Sequence, residues 1–122
     1  MKLHASGPAT YNTITGYGED YVQVNSQRYQ ASLIVMADKV LDWPVESFEG
    51  LSGKSFSLLK NEKPEIVLLG TGLKQRFPHP GLTAELTQAG IGVEVMDLKA
   101  ACRTYNILVA EERKVAAALL FR

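Results

Sequence analysis

Arg76, Glu94, Asp97, Arg103 and Asn106 are the polar side chains whose surroundings in this sequence most need explaining. Glu94 and Asp97 interrupt the apolar run Gly92-Val93-Glu94-Val95-Met96-Asp97, and Arg103 and Asn106 follow within three helical turns. A guanidinium grips a carboxylate or phosphate through paired N–H donors, so the chemistry this set suggests is recognition of an anion. A second segment, Gly70-Thr71-Gly72-Leu73-Lys74-Gln75-Arg76, also trails an apolar strand. Glycines at such a place let the backbone approach a ligand, and free backbone N–H groups there can hold an anion. The candidate set is therefore Gly70, Thr71, Gly72, Arg76, Glu94, Asp97, Arg103 and Asn106, lining one cleft at the ends of two neighbouring strands.

Nucleotide motifs are missing. Gly70-Thr71-Gly72 lacks the third glycine of a dinucleotide fingerprint, and no Gly-Lys-Ser/Thr follows. The same glycines also suit a tight turn that needs positive φ. Glu94 alternates with Val93 and Val95 and should face the opposite side of its strand. A carboxylate under flanking helices is costly unless paired, so Arg76 is expected as its partner, with Arg103 second. Arg103 could equally reach Asp97 and organise the rim. Cys102 falls on the apolar face of a helix, where a thiol is inert. Pairing it with His79 would be needed for a catalytic thiolate, and two isolated histidines, His4 and His79, make a poor metal site. No catalytic residue, metal or cofactor is assigned.

The elements that would position this set read as follows. Tyr11–Tyr17, Tyr21–Val24 and a long strand Gln27–Met36 form a β-meander, with Asn25-Ser26 as a tight turn. Lys39–Trp43 adds an edge strand that Pro44 ends. Ser52 caps a short helix that carries Phe56 and Leu59 and stops near Pro64. Glu65–Leu69 and Ile91–Met96 are the two central strands, joined in parallel through a helix that starts at Pro80 and ends at Gly90. Asp97 caps a helix from Leu98 to about Glu111, whose apolar face is Leu98, Ala101, Cys102, Tyr105, Leu108 and Val109. Lys99, Arg103 and Asn106 line its flank, and Ile107 points away from the core, where a partner could cover it. Val115–Leu120 is the last strand. The fold class is α/β, one domain over residues 1–122, and open α/β sheets place ligands beyond the carboxyl ends of their strands.

Bulk properties exclude several classes. Thirteen basic and thirteen acidic side chains cancel, which removes the electrostatic footprint of a nucleic-acid binder. The single cysteine rules out an internal disulfide and a cysteine-rich zinc site. The longest apolar runs are far too short for a membrane span, and the N-terminus has neither a signal-peptide core nor transit-peptide character. A cytoplasmic location is expected.

The segments GTGLKQRFPHP and GIGVEVMDLKAACRTYNILVAEERKVAAALL resemble the small Mth-domain family, in its bacterial branch, and TITGYGEDYVQVNSQRYQASLIV resembles that family's β-rich opening. The resemblance implies a three-layer fold with a mixed central sheet, flanking helices and an additional β-layer. It carries over Gly70, Thr71, Gly72, Arg76, Phe77, Gly92, Glu94, Asp97, Cys102, Arg103, Tyr105 and Asn106 as motif positions, without assigning them catalytic roles. Leu98 departs from the threonine of many relatives, which speaks against a role that needs a hydroxyl there. Since members include an assembly factor of a mitochondrial respiratory complex, the resemblance implies a non-catalytic, protein-interacting accessory role. The alternative is a protein or enzyme that binds a small anion in the cleft described above.

Overall fold

The computed structural model describes residues 11–121. Strands β1 (Ile14–Tyr17), β2 (Val22–Val24) and β3 (Gln27–Tyr29) form an antiparallel three-stranded sheet. Asn25, at φ 54°, turns β2 into β3, a left-handed conformation that asparagine tolerates. Strands β4 (Leu33–Met36), β5 (Lys39–Asp42), β6 (Ile66–Thr71), β7 (Gly92–Met96) and β8 (Val115–Leu120) form a second sheet in the order β5-β4-β8-β6-β7. It is mixed: β4 runs antiparallel to β5 and β8, whereas β6 runs parallel to β7 and β8.

Alternation along these strands builds two cores. Ile34, Met36, Val67, Leu69, Ala116, Ala118 and Leu120 face α1 (Gly53–Glu62) and α2 (Pro80–Gln88), where they meet Phe56, Leu59 and Leu86. Leu33, Val35, Leu68, Ala117 and Leu119 face α3 (Leu98–Ala110) and the three-stranded sheet, where they meet Ala101, Cys102, Tyr105, Val22 and Val24. Strand β8 is central and buried throughout, as a continuous apolar run with both faces covered should be. The result is three layers: α1 with α2, the five-stranded sheet, and α3 beside the three-stranded sheet.

The α/β class, the mixed sheet and the helix starts agree with the sequence. Ser52 precedes α1 and its N–H donates to Ser55 Oγ (3.1 Å). Proline stands at the first position of α2, Gly90 follows that helix at φ +80°, and Asp97 caps α3. Two expectations fail. Gln27–Met36 is not one strand: it breaks after Tyr29, and its halves belong to different sheets. Ile91–Met96 is not central either, because β8 takes that place and β7 lies at the edge.

Asn106 joins the layers on the α3 side. Its Oδ1 accepts from Ile14 N (2.9 Å) and its Nδ2 donates to Ile14 O (2.8 Å), satisfying the start of β1 as a neighbouring strand would. Tyr105 OH donates to Asn12 O (2.8 Å) one residue earlier on the helix. Replacing Asn106 with alanine orphans two backbone groups, and should lower stability by about 1–3 kcal/mol. The expected signature is a lower urea midpoint with an unchanged slope.

Candidate functional site

The register brings several segments to one edge of the main sheet. Gly70 lies opposite Met96, Thr71 opposite Leu120, and Leu33 opposite both Asp42 and Leu119. Residues that follow β5, β6, β7 and β8 therefore emerge together, with Ser32 entering β4 beside them. This is the carboxyl edge of the parallel strands.

The loop from Gly72 to His79 is held to that edge by several contacts. Thr71 is buried; its Oγ1 donates to Lys74 O (2.6 Å) and accepts from Arg76 N (3.0 Å), with Met96 O a longer 3.3 Å away. Gly72, at φ +82°, reverses the chain, and its carbonyl accepts from Leu98 N (2.7 Å). Gln75 Nε2 donates to Val95 O (2.8 Å) on the edge strand. Arg76 lies 4.2 Å above the ring of Phe48 and pairs with Glu49. That guanidinium holds the Glu49 carboxyl below its ordinary value. The loop is thus ordered by its polar groups, yet it leaves Leu73 71% and Phe77 70% exposed.

The candidate residues divide by what they touch. Gly70 has a packing reason: a Cβ there would stand 3.0 Å from Ala101 Cβ and 3.0 Å from Leu119 Cδ2. Asp97 Oδ1 accepts from Ala100 N (2.8 Å) as the N-cap of α3. Asn106 is engaged with Ile14. Glu94 is exposed on the edge strand, and none of the ion pairs among the described residues includes it. The expected Glu94–Arg76 pair is therefore corrected to Glu49–Arg76; an edge strand has no neighbour to bury Glu94, so no partner is required. Arg103 is exposed and likewise outside those ion pairs, so the expected contact with Glu94 or Asp97 is not formed.

Cys102 is buried in the core, and burial pushes its thiol up to about 12. His79 lies in the exposed loop, its Nδ1 accepting from Gly81 N (2.9 Å) to cap α2. The two do not form a nucleophile–base pair. Among the described residues no group of three His, Cys, Asp or Glu side chains could hold a metal ion.

Sequence reasoning overlooked a concavity of about 780 Å³ on the other half of this edge. Trp43 and Val45 belong to the core beneath it, Leu73 and Phe121 flank it, and Glu19, Asp20 and Glu46 contribute carboxylates. Trp43-Pro44 was the one local signal, and it marked only the end of a strand. A second concavity, of about 440 Å³, lies between Asn25, Tyr29 and Asp38.

These features define a three-layer α/β domain whose polar edge residues mostly scaffold loops and helix ends. The chain belongs to the family described as "Protein of unknown function (DUF498/DUF598)", which matches residues 14–120. It is similar to the mouse NADH dehydrogenase [ubiquinone] 1 alpha subcomplex assembly factor 3, at 35% identity over 88% of this chain and 59% of that protein. The chain thus spans about three-fifths of that relative's length. A crystal structure of a Bordetella parapertussis protein superposes with a TM-score of 0.86 at 40% identity, covering 93% of this chain and 98% of the other. The solution structure of a Bordetella pertussis protein described as a Mth938-like domain gives 0.80 at 34% identity, over 98% and 92%. The Mth-domain resemblance is thereby established.

Two measurements check the site. Gly70→Ala overpacks α3 against β6 and should cost about 1–3 kcal/mol, seen as a lower melting temperature. Cys102 should resist a thiol reagent at neutral pH in the folded protein and react once denatured, because a buried neutral thiol is a poor nucleophile.

Proposed function

We propose that this chain is a non-catalytic docking domain that serves as an accessory factor in assembling a larger protein complex, of the respiratory or membrane-associated kind. The observation that carries this reading is the loop between β6 and α2. Its polar groups fasten it to the sheet, while Leu73 and Phe77 stand in water. A large apolar side chain on a loop ordinarily folds back onto the protein; here the restraints keep two of them outward, preorganised for contact. Ile107, 59% exposed on α3, supplies a further apolar point. Similarity to a protein named as an assembly factor supports the same reading.

No helix among the described residues is long and apolar enough to cross a membrane. An anion cleft at Gly70, Thr71, Gly72, Arg76, Glu94, Asp97, Arg103 and Asn106 has less support. Arg76 already faces Glu49, while Asp97 and Asn106 are engaged with backbone.

The test is affinity purification of the tagged chain from native cells, with a photo-crosslinker placed at position 77. A stoichiometric partner should crosslink there, and the Leu73→Ser/Phe77→Ser double variant should lose it without a fall in melting temperature. A chain that returns alone, or a partner retained by the double variant, overturns the proposal.

A further inference from the structure

The concavity beside Leu73 carries an inference of its own, resting on the docking reading and specifying the chemistry of what docks. Five segments remote in sequence build it: the β1–β2 turn, the entry to β4, the stretch after β5, and the loops that follow β6 and β8. Its floor is apolar and fixed. Trp43 is 3% exposed, with its indole N–H donating to Ser55 O (2.9 Å), and Val45 is buried beside it. Leu73 and Phe121 form the flanks. Ser32 also lines it, only 8% exposed, and its hydroxyl has no hydrogen-bond partner among the described residues. Every fully enclosed side-chain nitrogen or oxygen among those residues is satisfied, so this hydroxyl is not fully enclosed.

The charges that the described residues place on this surface share one sign. Glu19, Asp20 and Glu46 are exposed and line it, and none takes part in an ion pair among the described residues. Among the described residues, no lysine or arginine lines it. Carboxylates spread around an apolar floor complement a ligand that is itself cationic and apolar in alternation. A volume of about 780 Å³ lies within the usual range for ligand clefts and accommodates a few residues of extended chain.

We infer that this groove binds a short basic peptide segment of a partner protein, seating one apolar or aromatic side chain over Trp43 between Leu73 and Phe121 and setting its lysines or arginines against Glu19, Asp20 and Glu46. The partner is thereby specified by chemistry: an exposed basic segment with a hydrophobic anchor. A carboxylate-rich or phosphorylated segment would be repelled.

Trp43 is the only tryptophan in the chain, so its emission reports occupancy of the groove directly. The probe is the synthetic peptide acetyl-Ala-Lys-Leu-Lys-Phe-Lys-Ala-amide, with a counterpart in which glutamate replaces each lysine. The basic peptide should shift the Trp43 emission saturably, the acidic one should not, and binding should weaken as salt rises. A Glu19→Lys/Asp20→Lys/Glu46→Lys variant, altered only at exposed positions, should keep its circular dichroism and lose roughly tenfold or more in affinity.

Equal response to both peptides, no response, or affinity unchanged in the charge-reversed variant overturns the inference. So does spermine binding as tightly as the peptide, because the apolar anchor would then contribute nothing. Self-association abolished by the same charge reversal would assign the groove to a second copy and overturn it likewise. The loop's docking role is judged separately by partner loss in the Leu73→Ser/Phe77→Ser variant. Should the partner remain dependent on that loop while the peptide fails to bind, the groove inference falls and the docking reading stands.

Discussion

Helix α3 lies so close to β6 that even a Cβ at position 70 would crowd its neighbours. Ala101 and Leu119 both stand within contact of where a Cβ would be, and the backbone of Leu98 closes the space from above. Much else follows from this approach. It brings Leu98 N onto Gly72 O, which fixes how the chain leaves β6. It sets Asp97 to cap α3, and places Cys102 and Tyr105 in the core. It also lets Asn106 reach Ile14, so that a helix side chain completes the hydrogen bonding of a strand in the other sheet. Burial pushes the Tyr105 phenol up from its ordinary value, consistent with a neutral hydroxyl that donates to Asn12.

Strand β8 is the second half of the same economy. Its Ala116, Ala117 and Ala118 are all buried at the middle of the sheet. Small side chains there allow bulky ones to interdigitate from both layers: Phe56 and Leu59 on one face, Tyr105 and Val109 on the other. The ion pairs among the described residues lie outside this core, on side chains with substantial exposure, where such pairs contribute little. Stability therefore rests on packing and on backbone satisfaction. The carboxyl edge of the sheet is thereby free to differ in composition: a fastened loop with outward apolar residues, beside a groove with an acidic rim.

Much of the scaffold was legible because it is local. Helix starts at Ser52, Pro80 and Asp97 are written in single residues whose effects reach no further than one turn. The buried strands β6 and β8 announce themselves by continuous apolar runs, and the face of α3 by its period. The break between β3 and β4 was not legible, since nothing in Gln30-Ala31-Ser32 forbids an extended chain; only the existence of two sheets requires the separation. Glu94 was misjudged for a related reason. Alternation tells which way a side chain points, whereas whether that face is covered depends on the strand's place in the sheet, and β7 is at the edge.

The carboxyl edge itself was anticipated as the place for a ligand, and the candidate residues did mark part of it. Gly70, Thr71, Gly72 and Asp97 are there, engaged in packing, turning and capping. The sequence by itself determined the α/β class, the family, the helix ends and the core side of the cysteine, because each rests on interactions between residues a few positions apart or on a motif in one continuous stretch. Only the tertiary structure decided which strands are edges, which acid pairs with Arg76, and that Glu19, Asp20, Glu46, Trp43 and Leu73 share one groove. Those are consequences of strand order, and strand order is set by the total apolar surface that the whole chain can bury at once.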